Sequence, residues 1–148
     1  MNKQLLLEGV KSKLESMEGF GYQFTEWKRW HDGDNGFEIE DVGVAKIRIR
    51  FFVKDSGSLQ TEIRAHKKEE RERLEHHFNS LGYNGVQRND NSAYLPLLWQ
   101  GQKNMPANDT ELIKRIMILI NILEAETLEH LSQESLAILE HNRMNPKK

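Results

Sequence analysis

Residues 44–66, VAKIRIRFFVKDSGSLQTEIRAH, contain two runs in which apolar and polar side chains alternate. Because successive side chains of a β-strand point to opposite faces, this alternation predicts two strands, 44–54 and 59–66. The turn-forming residues between them, 55–58, predict an antiparallel hairpin. The odd-numbered face of this hairpin is made of Ile47, Ile49, Phe51, Val53, Leu59, Thr61, Ile63 and Ala65. The even-numbered face is made of Lys46, Arg48, Arg50, Phe52, Lys54, Gln60, Glu62, Arg64 and His66. We expect the odd-numbered face to lie against helices and the even-numbered face to contact water or a partner.

The sequence around this hairpin predicts an α+β fold in one domain, 1–148, with a polar C-terminal tail at 142–148. We expect a two-layer sandwich in which an antiparallel meander of three strands, with one or two more, packs against helices in the order α-β-β-β-α-β(-β)-α. The elements outside the hairpin are a helix over 3–18, a short strand over 37–40, a helix over 67–81, a weak strand over 83–88, a strand over 93–100, a long helix from Asp109 and a last helix from Ser132 to Leu139. Pro96 predicts an edge position or a bulge for its strand. The aromatic stretch 19–36 fits either a strand or a packed loop.

Composition limits the classes of function. The chain has 148 residues, a net charge of −2 and no cysteine, so disulfides, thiolate metal sites and cysteine nucleophiles are excluded. A nearly neutral chain has no overall field that would attract nucleic acid or an anionic membrane. The N-terminus lacks the pattern of a signal peptide, and the longest apolar run, 116–123, is far shorter than the ~20 residues that span a bilayer. We therefore expect a cytoplasmic protein without a membrane partner.

The even-numbered face is the strongest candidate for a binding surface, because it carries more basic than acidic side chains. The residues expected to contact a partner are Lys46, Arg48, Arg50, Phe52, Arg64 and His66. With so little net charge, a protein partner with an acidic surface is favoured over nucleic acid. The sequence therefore predicts a small non-enzymatic binding module of the inhibitor, immunity or chaperone type, without a cofactor. The alternative is a solvated sheet face, on which Glu38 pairs with Lys46 and Glu62 with Arg50.

Two families share this order of elements. The order resembles the PD-(D/E)XK nuclease superfamily, with Asp41 at the entry of one strand and Glu62-x-Arg64 on the next. This resemblance implies two carboxylates that hold Mg²⁺ beside a lysine. Here Arg64 stands in the place of the lysine and no proline precedes Asp41, so the resemblance implies a degenerate nuclease or a nucleic-acid-binding domain. The order and size also resemble type III secretion chaperones, small dimeric proteins that bind unfolded effector segments.

The helix predicted over 67–81 offers a weak candidate metal site. Glu72 and His76 are four residues apart on one helical face, with Glu69 one turn earlier. His77 points about 100° away from His76 and does not join them. Because Glu69 also stands four residues before Arg73, a solvated helix face with ordinary ion pairs is the favoured interpretation.

The helix that begins near Asp109 is apolar on most of its circumference, so it must be buried on more than one side. It either crosses the middle of the domain or pairs with a second copy of the chain. The second alternative is a structural homodimer built on 109–131, and its seam is predicted at Ile116, Leu119, Ile120 and Leu123.

Overall fold

A computed structural model describes residues 3–28, 35–53, 59–82, 86–89, 92–94 and 109–144 of the chain. Four α-helices occur in these ranges: α1 (Lys3–Glu15), α2 (Lys68–Ser80), α3 (Asp109–Glu124) and α4 (Gln133–Met144). Six strands occur: β1 (Phe24–Lys28), β2 (Asn35–Val42), β3 (Ile47–Val53), β4 (Leu59–Ala65), β5 (Gln87–Asn89) and β6 (Ser92–Tyr94). A 3-10 turn, Leu128–His130, connects α3 to α4.

The six described strands form one antiparallel sheet in the order β1-β2-β3-β4-β6-β5. The predicted α+β fold, a meander packed on helices, is confirmed. The meander has one strand more than predicted, because the aromatic stretch contributes β1, which pairs with β2 through Phe24 opposite Ile39. The strand at Pro96 was expected at an edge, but β6 lies between β4 and β5, and Pro96 itself falls outside the described residues.

The odd-numbered face forms the core, as the alternation predicts. Ile47, Ile49, Phe51 and Ile63 are at most 1% exposed and belong to one cluster with Leu7, Val10 and Leu14 of α1 and with the buried side of α3. Burial of an aliphatic or aromatic side chain contributes about 1.5–3 kcal/mol. Leu74 and Phe78 of α2, together with Leu81 just after it, belong to the same cluster. This face therefore holds the two layers together.

The turn between β2 and β3 fits against the C-terminus of α3. Gly43 has φ 71°, and a Cβ placed there would overlap the carbonyl of Leu123. The backbone N–H of Val44 donates to that carbonyl at 3.1 Å. Only glycine combines the left-handed conformation with so close an approach. The hairpin of β2 and β3 is thus fixed to the last turn of α3.

The helix ends differ in detail from their predictions. The first helix was predicted over 3–18 but ends at Glu15, and Met17, which lies beyond its end, is exposed. Ser132 caps α4 as expected, since its Oγ accepts the backbone N–H of Ser135 at 3.2 Å. This helix runs on to Met144, so the first residues of the predicted tail are helical. Among the described helices, none is long and apolar enough to cross a bilayer.

Candidate functional site: a buried charge cluster and a basic rim

The described centre of the even-numbered face, made of Arg50, Phe52 and Glu62, is buried. Arg50 is 8% exposed and Phe52 is 1% exposed, so the prediction that this face contacts water is wrong at both residues. Phe52 is not part of the apolar core cluster, which agrees with its position on the opposite side of the sheet. It lies beside Gly36 of β2, where a Cβ would overlap the Phe52 side chain. These two positions are therefore closed to a partner that contacts the surface of the folded chain.

Charged side chains on this face form a row across three strands. The registers place Arg50 opposite both Glu38 of β2 and Glu62 of β4. Arg50 Nε donates to Glu38 Oε1 at 2.8 Å, and its Nη1 lies 3.6 Å from Glu62 Oε1. Glu62 and Arg50 thus pair as expected. The predicted pairing of Glu38 with Lys46 is wrong, because Lys46 lies in the turn between β2 and β3, where its φ is 55°.

A second arginine connects this row to α2. Arg48 donates from Nε and Nη2 to the two oxygens of Glu70, each at 2.9 Å, and from Nη1 to Glu38 Oε2 at 3.2 Å. Such a two-pronged arrangement is the strongest geometry for an arginine–carboxylate pair. We refer to Glu38, Arg48, Arg50, Glu62 and Glu70 together as the charge cluster.

The pKa values of the Arg48–Glu70 pair shift as this geometry requires. Burial alone would raise the pKa of Glu70, but the hydrogen bonds and charge of Arg48, with smaller contributions from Lys67, hold that pKa below its ordinary value. Burial alone would likewise lower the pKa of Arg48, yet Glu70 and Glu38 hold it above its ordinary value. Both groups are therefore charged in the folded chain, and the contact is an ion pair.

His66 is exposed at the end of the row, and its Nε2 lies 3.2 Å from Arg50 Nη1. A guanidinium nitrogen only donates, so the histidine Nε2 is the acceptor in this contact. The ring proton of His66 is then on Nδ1. This contact places an exposed imidazole directly beside a buried cation.

Next to the cluster, a ring of basic side chains remains accessible. We define the basic rim as Lys46, Arg48, His66, Lys67, Arg71 and Arg73, which are exposed apart from the half-buried Arg48 and Arg71. Arg73 Nε donates to the Ala45 carbonyl at 2.7 Å and Nη2 to the Lys46 carbonyl at 3.4 Å, while Arg71 donates to the His66 carbonyl. The first turns of α2 are thereby attached to the ends of β3 and β4, and their positive charges gather there.

The residues of the nuclease resemblance are not brought together. Asp41 is exposed at the end of β2, with φ 51°. Glu62 is buried on β4, two strands away and further along the sheet. Since neighbouring strands are ~4.8 Å apart, the two carboxylates are separated by roughly 10 Å across the sheet alone, too far to share one cation. The side chain of Arg64 lies outside the described part of the structure.

Glu69, Glu72 and His76 are exposed along the outer face of α2. Within the described residues, no group of three or more acidic, histidine or cysteine side chains has the geometry of a metal site. The weak metal site suggested by their spacing therefore has no counterpart in the structure, and the solvated-face interpretation fits their exposure.

The four side chains of the predicted dimer seam are used within the chain. Ile116, Leu119 and Leu123 are fully buried and Ile120 is 4% exposed, in contact with the sheet and α1. A second copy of the chain would have to contact other residues. The homodimer itself stays a prediction.

Sequence reasoning did not identify Glu70 and Lys67 as site residues. In the sequence, Glu70 is one of several charged residues on a helix expected to be solvated. In the structure, it accepts hydrogen bonds from the Lys67 backbone N–H, at 3.3 Å, and from the guanidinium of Arg48. The available signal was its position four residues before Leu74, on the apolar side of α2. A carboxylate on that side must meet a cation from the sheet.

In comparisons with known proteins, no family model, no curated protein and no solved structure matches the chain.

Proposed function

We propose that this chain is a non-enzymatic module that binds a protein with an acidic surface, and that the contact is made by the basic rim. Three residues of the rim, Lys46, Arg48 and His66, belong to the surface predicted on the even-numbered face. The other three, Lys67, Arg71 and Arg73, lie at the start of α2. The observation that supports this proposal is that the rim is accessible, while Arg50 and Phe52 of the predicted surface are buried.

In this proposal, the charge cluster is the structural scaffold of the basic rim. Arg48 and Arg50 are paired with the three carboxylates of the cluster, so the positive charge of the rim comes from its other members. By contrast, Lys46 and Lys67 extend from a backbone that Arg71 and Arg73 hold in place. A preorganised set of cations loses less side-chain entropy on binding, which favours affinity for an acidic partner.

A metal-dependent nuclease is disfavoured by the arrangement of the same carboxylates. A magnesium site needs carboxylate oxygens that converge on an open position. Here the guanidinium of Arg50 lies between Glu38 and Glu62, and Arg48 engages both Glu38 and Glu70. Binding of Mg²⁺ by this set would require displacing the buried Arg50 and the half-buried Arg48. Nucleic-acid binding is the second candidate, and the salt dependence of binding distinguishes it from binding of a protein.

The test compares two double variants with the same change in net charge. Lys46→Glu with Lys67→Glu reverses the rim, and Lys13→Glu with Lys114→Glu reverses two exposed lysines elsewhere. A partner captured from cells of the source organism is purified, and its Kd is measured by calorimetry at two salt concentrations. We expect the rim variant to bind at least ~10-fold more weakly and the control to bind within ~2-fold of the wild type.

Equal affinities of the two variants would place the contact elsewhere on the chain. If the captured ligand is nucleic acid, its affinity will fall steeply with salt, and the alternative replaces the proposal. Far-UV circular dichroism of both variants verifies that the comparison is between folded chains.

A further inference from the structure

A cleft of about 330 Å³ lies where the turn between β2 and β3, the helix α2 and the residues just after α3 meet. Its apolar lining comes from Val44 and Ala45 of the turn and from Ala125. The two alanines are buried, but Val44 is 60% exposed. A single exposed apolar residue is ordinary on a protein surface. One that borders a cleft with a buried apolar floor is a candidate contact for an apolar group of another molecule.

Hydrogen bonds hold the walls of this cleft in place. His77 of α2, which is 5% exposed, has its Nε2 2.9 Å from the carbonyl oxygen of Ile122 in α3. Because a carbonyl only accepts, Nε2 is the donor in this contact. Arg73, one turn earlier in α2, donates from Nε to the carbonyl of Ala45 at 2.7 Å. The cleft is therefore preformed, and a group that enters it loses no free energy to the ordering of its walls.

The charges at the cleft favour an acidic segment. Arg73 lines it, and the exposed Lys46 follows Ala45 in the chain, so two members of the basic rim lie at its border. Glu126 is the one carboxylate among the lining residues. Arg73 donates to backbone carbonyls and, within the described residues, forms no ion pair. Its positive charge is therefore available to an acidic group beside the cleft.

We infer that the acidic partner of the basic rim inserts one aromatic side chain into this cleft, between Val44 and His77, with acidic residues on either side of it next to Arg73 and Lys46. The inference rests on the function proposed above and adds the chemistry of the recognised segment. The volume of the cleft lies at the lower end of the range of small-molecule sites, about 300–1,000 Å³, which suits a single large side chain. Aromatic residues that fill a central pocket contribute much of the binding free energy of protein interfaces, whereas charges at the border mainly set rate and specificity.

The experiment uses the full chain and two peptides, acetyl-Glu-Glu-Phe-Glu-Glu-amide and the same sequence with Ser for Phe. Titrations followed by ¹⁵N–¹H spectra give both Kd values and locate the contact. With the Phe peptide we expect saturable shifts at the amides of Val44, His77 and Ala125, and the Ser peptide should bind at least ~10-fold more weakly. Failure of the Phe peptide to bind, or equal Kd values for the two peptides, would overturn the inference.

Variants that leave the net charge unchanged test the cleft itself. Ser80→Phe places a ring in the cleft from the end of α2, and Asn79→Phe adds the same ring at a neighbouring exposed residue that does not line it. We expect Ser80→Phe to bind both peptides equally weakly and Asn79→Phe to keep the preference for Phe within ~2-fold of the wild type. Val44→Thr, which keeps the shape of the side chain but makes it polar, should reduce that preference by about threefold. An undiminished preference in Ser80→Phe and Val44→Thr alike would place the aromatic ring elsewhere and contradict the inference.

The variant with Lys46→Glu and Lys67→Glu separates this inference from the proposed function. If it weakens both peptides by the same factor, and the wild type does not distinguish Phe from Ser, the rim binds acidic segments without the cleft. The inference then fails and the proposed function stands. If the wild type prefers Phe but this variant binds both peptides as tightly as the wild type does, the proposed function fails although the cleft is occupied.

Discussion

The two faces of the sheet are both buried, yet they are held by opposite chemistry. On one face Ile49, Phe51 and Ile63 pack against helices in an apolar cluster, with Thr61 as a buried polar residue on the same face. On the other, Arg50 is flanked by Glu38 and Glu62 at comparable burial. Apolar packing tolerates small rearrangements, whereas buried charges are stable only while each keeps its partner. The first face therefore supplies most of the stability, and the second fixes the alignment of the three central strands.

The largest effect is expected on the apolar face. Phe51→Ala removes a fully buried ring that contacts Phe24 and Phe37, at centroid distances of 6.1 and 5.7 Å, and should lower the free energy of unfolding by about 4 kcal/mol. Urea denaturation followed by circular dichroism measures the change. Val44→Ala is the control, since Val44 is 60% exposed and the change should be within about 0.5 kcal/mol. A loss below ~1 kcal/mol at Phe51 would mean that this face is not the main source of stability.

Removal of a charge on the other face should cost nearly as much, for a different reason. Arg50→Met leaves Glu38 and Glu62 buried with less compensation, and we expect a loss of about 3 kcal/mol. Adding Glu62→Leu to Arg50→Met should recover part of that loss, because the unpaired carboxylate is gone. Strictly additive costs in this double-mutant cycle would show that the two residues are not coupled.

The smallest effect is expected where the charge cluster meets α2, and it depends on pH. The pKa of Glu70 is lower in the folded chain than its ordinary value of 4.5, so its stabilisation is fully present above that pH and is lost as the pH falls through the folded value. At pH 7, Glu70→Gln should cost about 2 kcal/mol, and the difference from the wild type should shrink as the pH falls below 4.5.

A surface ion pair provides the control for that pH series. Glu134 lies 3.8 Å from Lys114, and both side chains are more than half exposed. Glu134→Gln should change stability by less than about 0.5 kcal/mol at any pH in the series. A similar pH dependence in both variants would assign the effect to general charge rather than to the Arg48–Glu70 pair.

The sequence predicts the apolar face well because a period of two is a direct consequence of strand geometry. Ile47, Ile49, Phe51 and Ile63 all point into the core as expected. The prediction for the other face fails because the alternating pattern indicates polarity and not exposure. Arg50 gives the same sequence pattern on a solvated sheet as it does beside two buried glutamates. Its burial depends on Glu38 of a neighbouring strand and on a register that a bulge between Ile39 and Val42 alters. Such long-range pairings leave no periodic trace in the sequence.

The close contact between Gly43 and the carbonyl of Leu123 has a consequence for folding during synthesis. The hairpin of β2 and β3 emerges from the ribosome well before α3, so the part of its apolar side that α3 covers stays exposed until that helix exists. Contacts between distant parts of a chain form late, and surface exposed in the meantime promotes aggregation. A nascent chain halted before Leu123 should thus display the isoleucines of β3 to chaperones, and completion of the helix should release it.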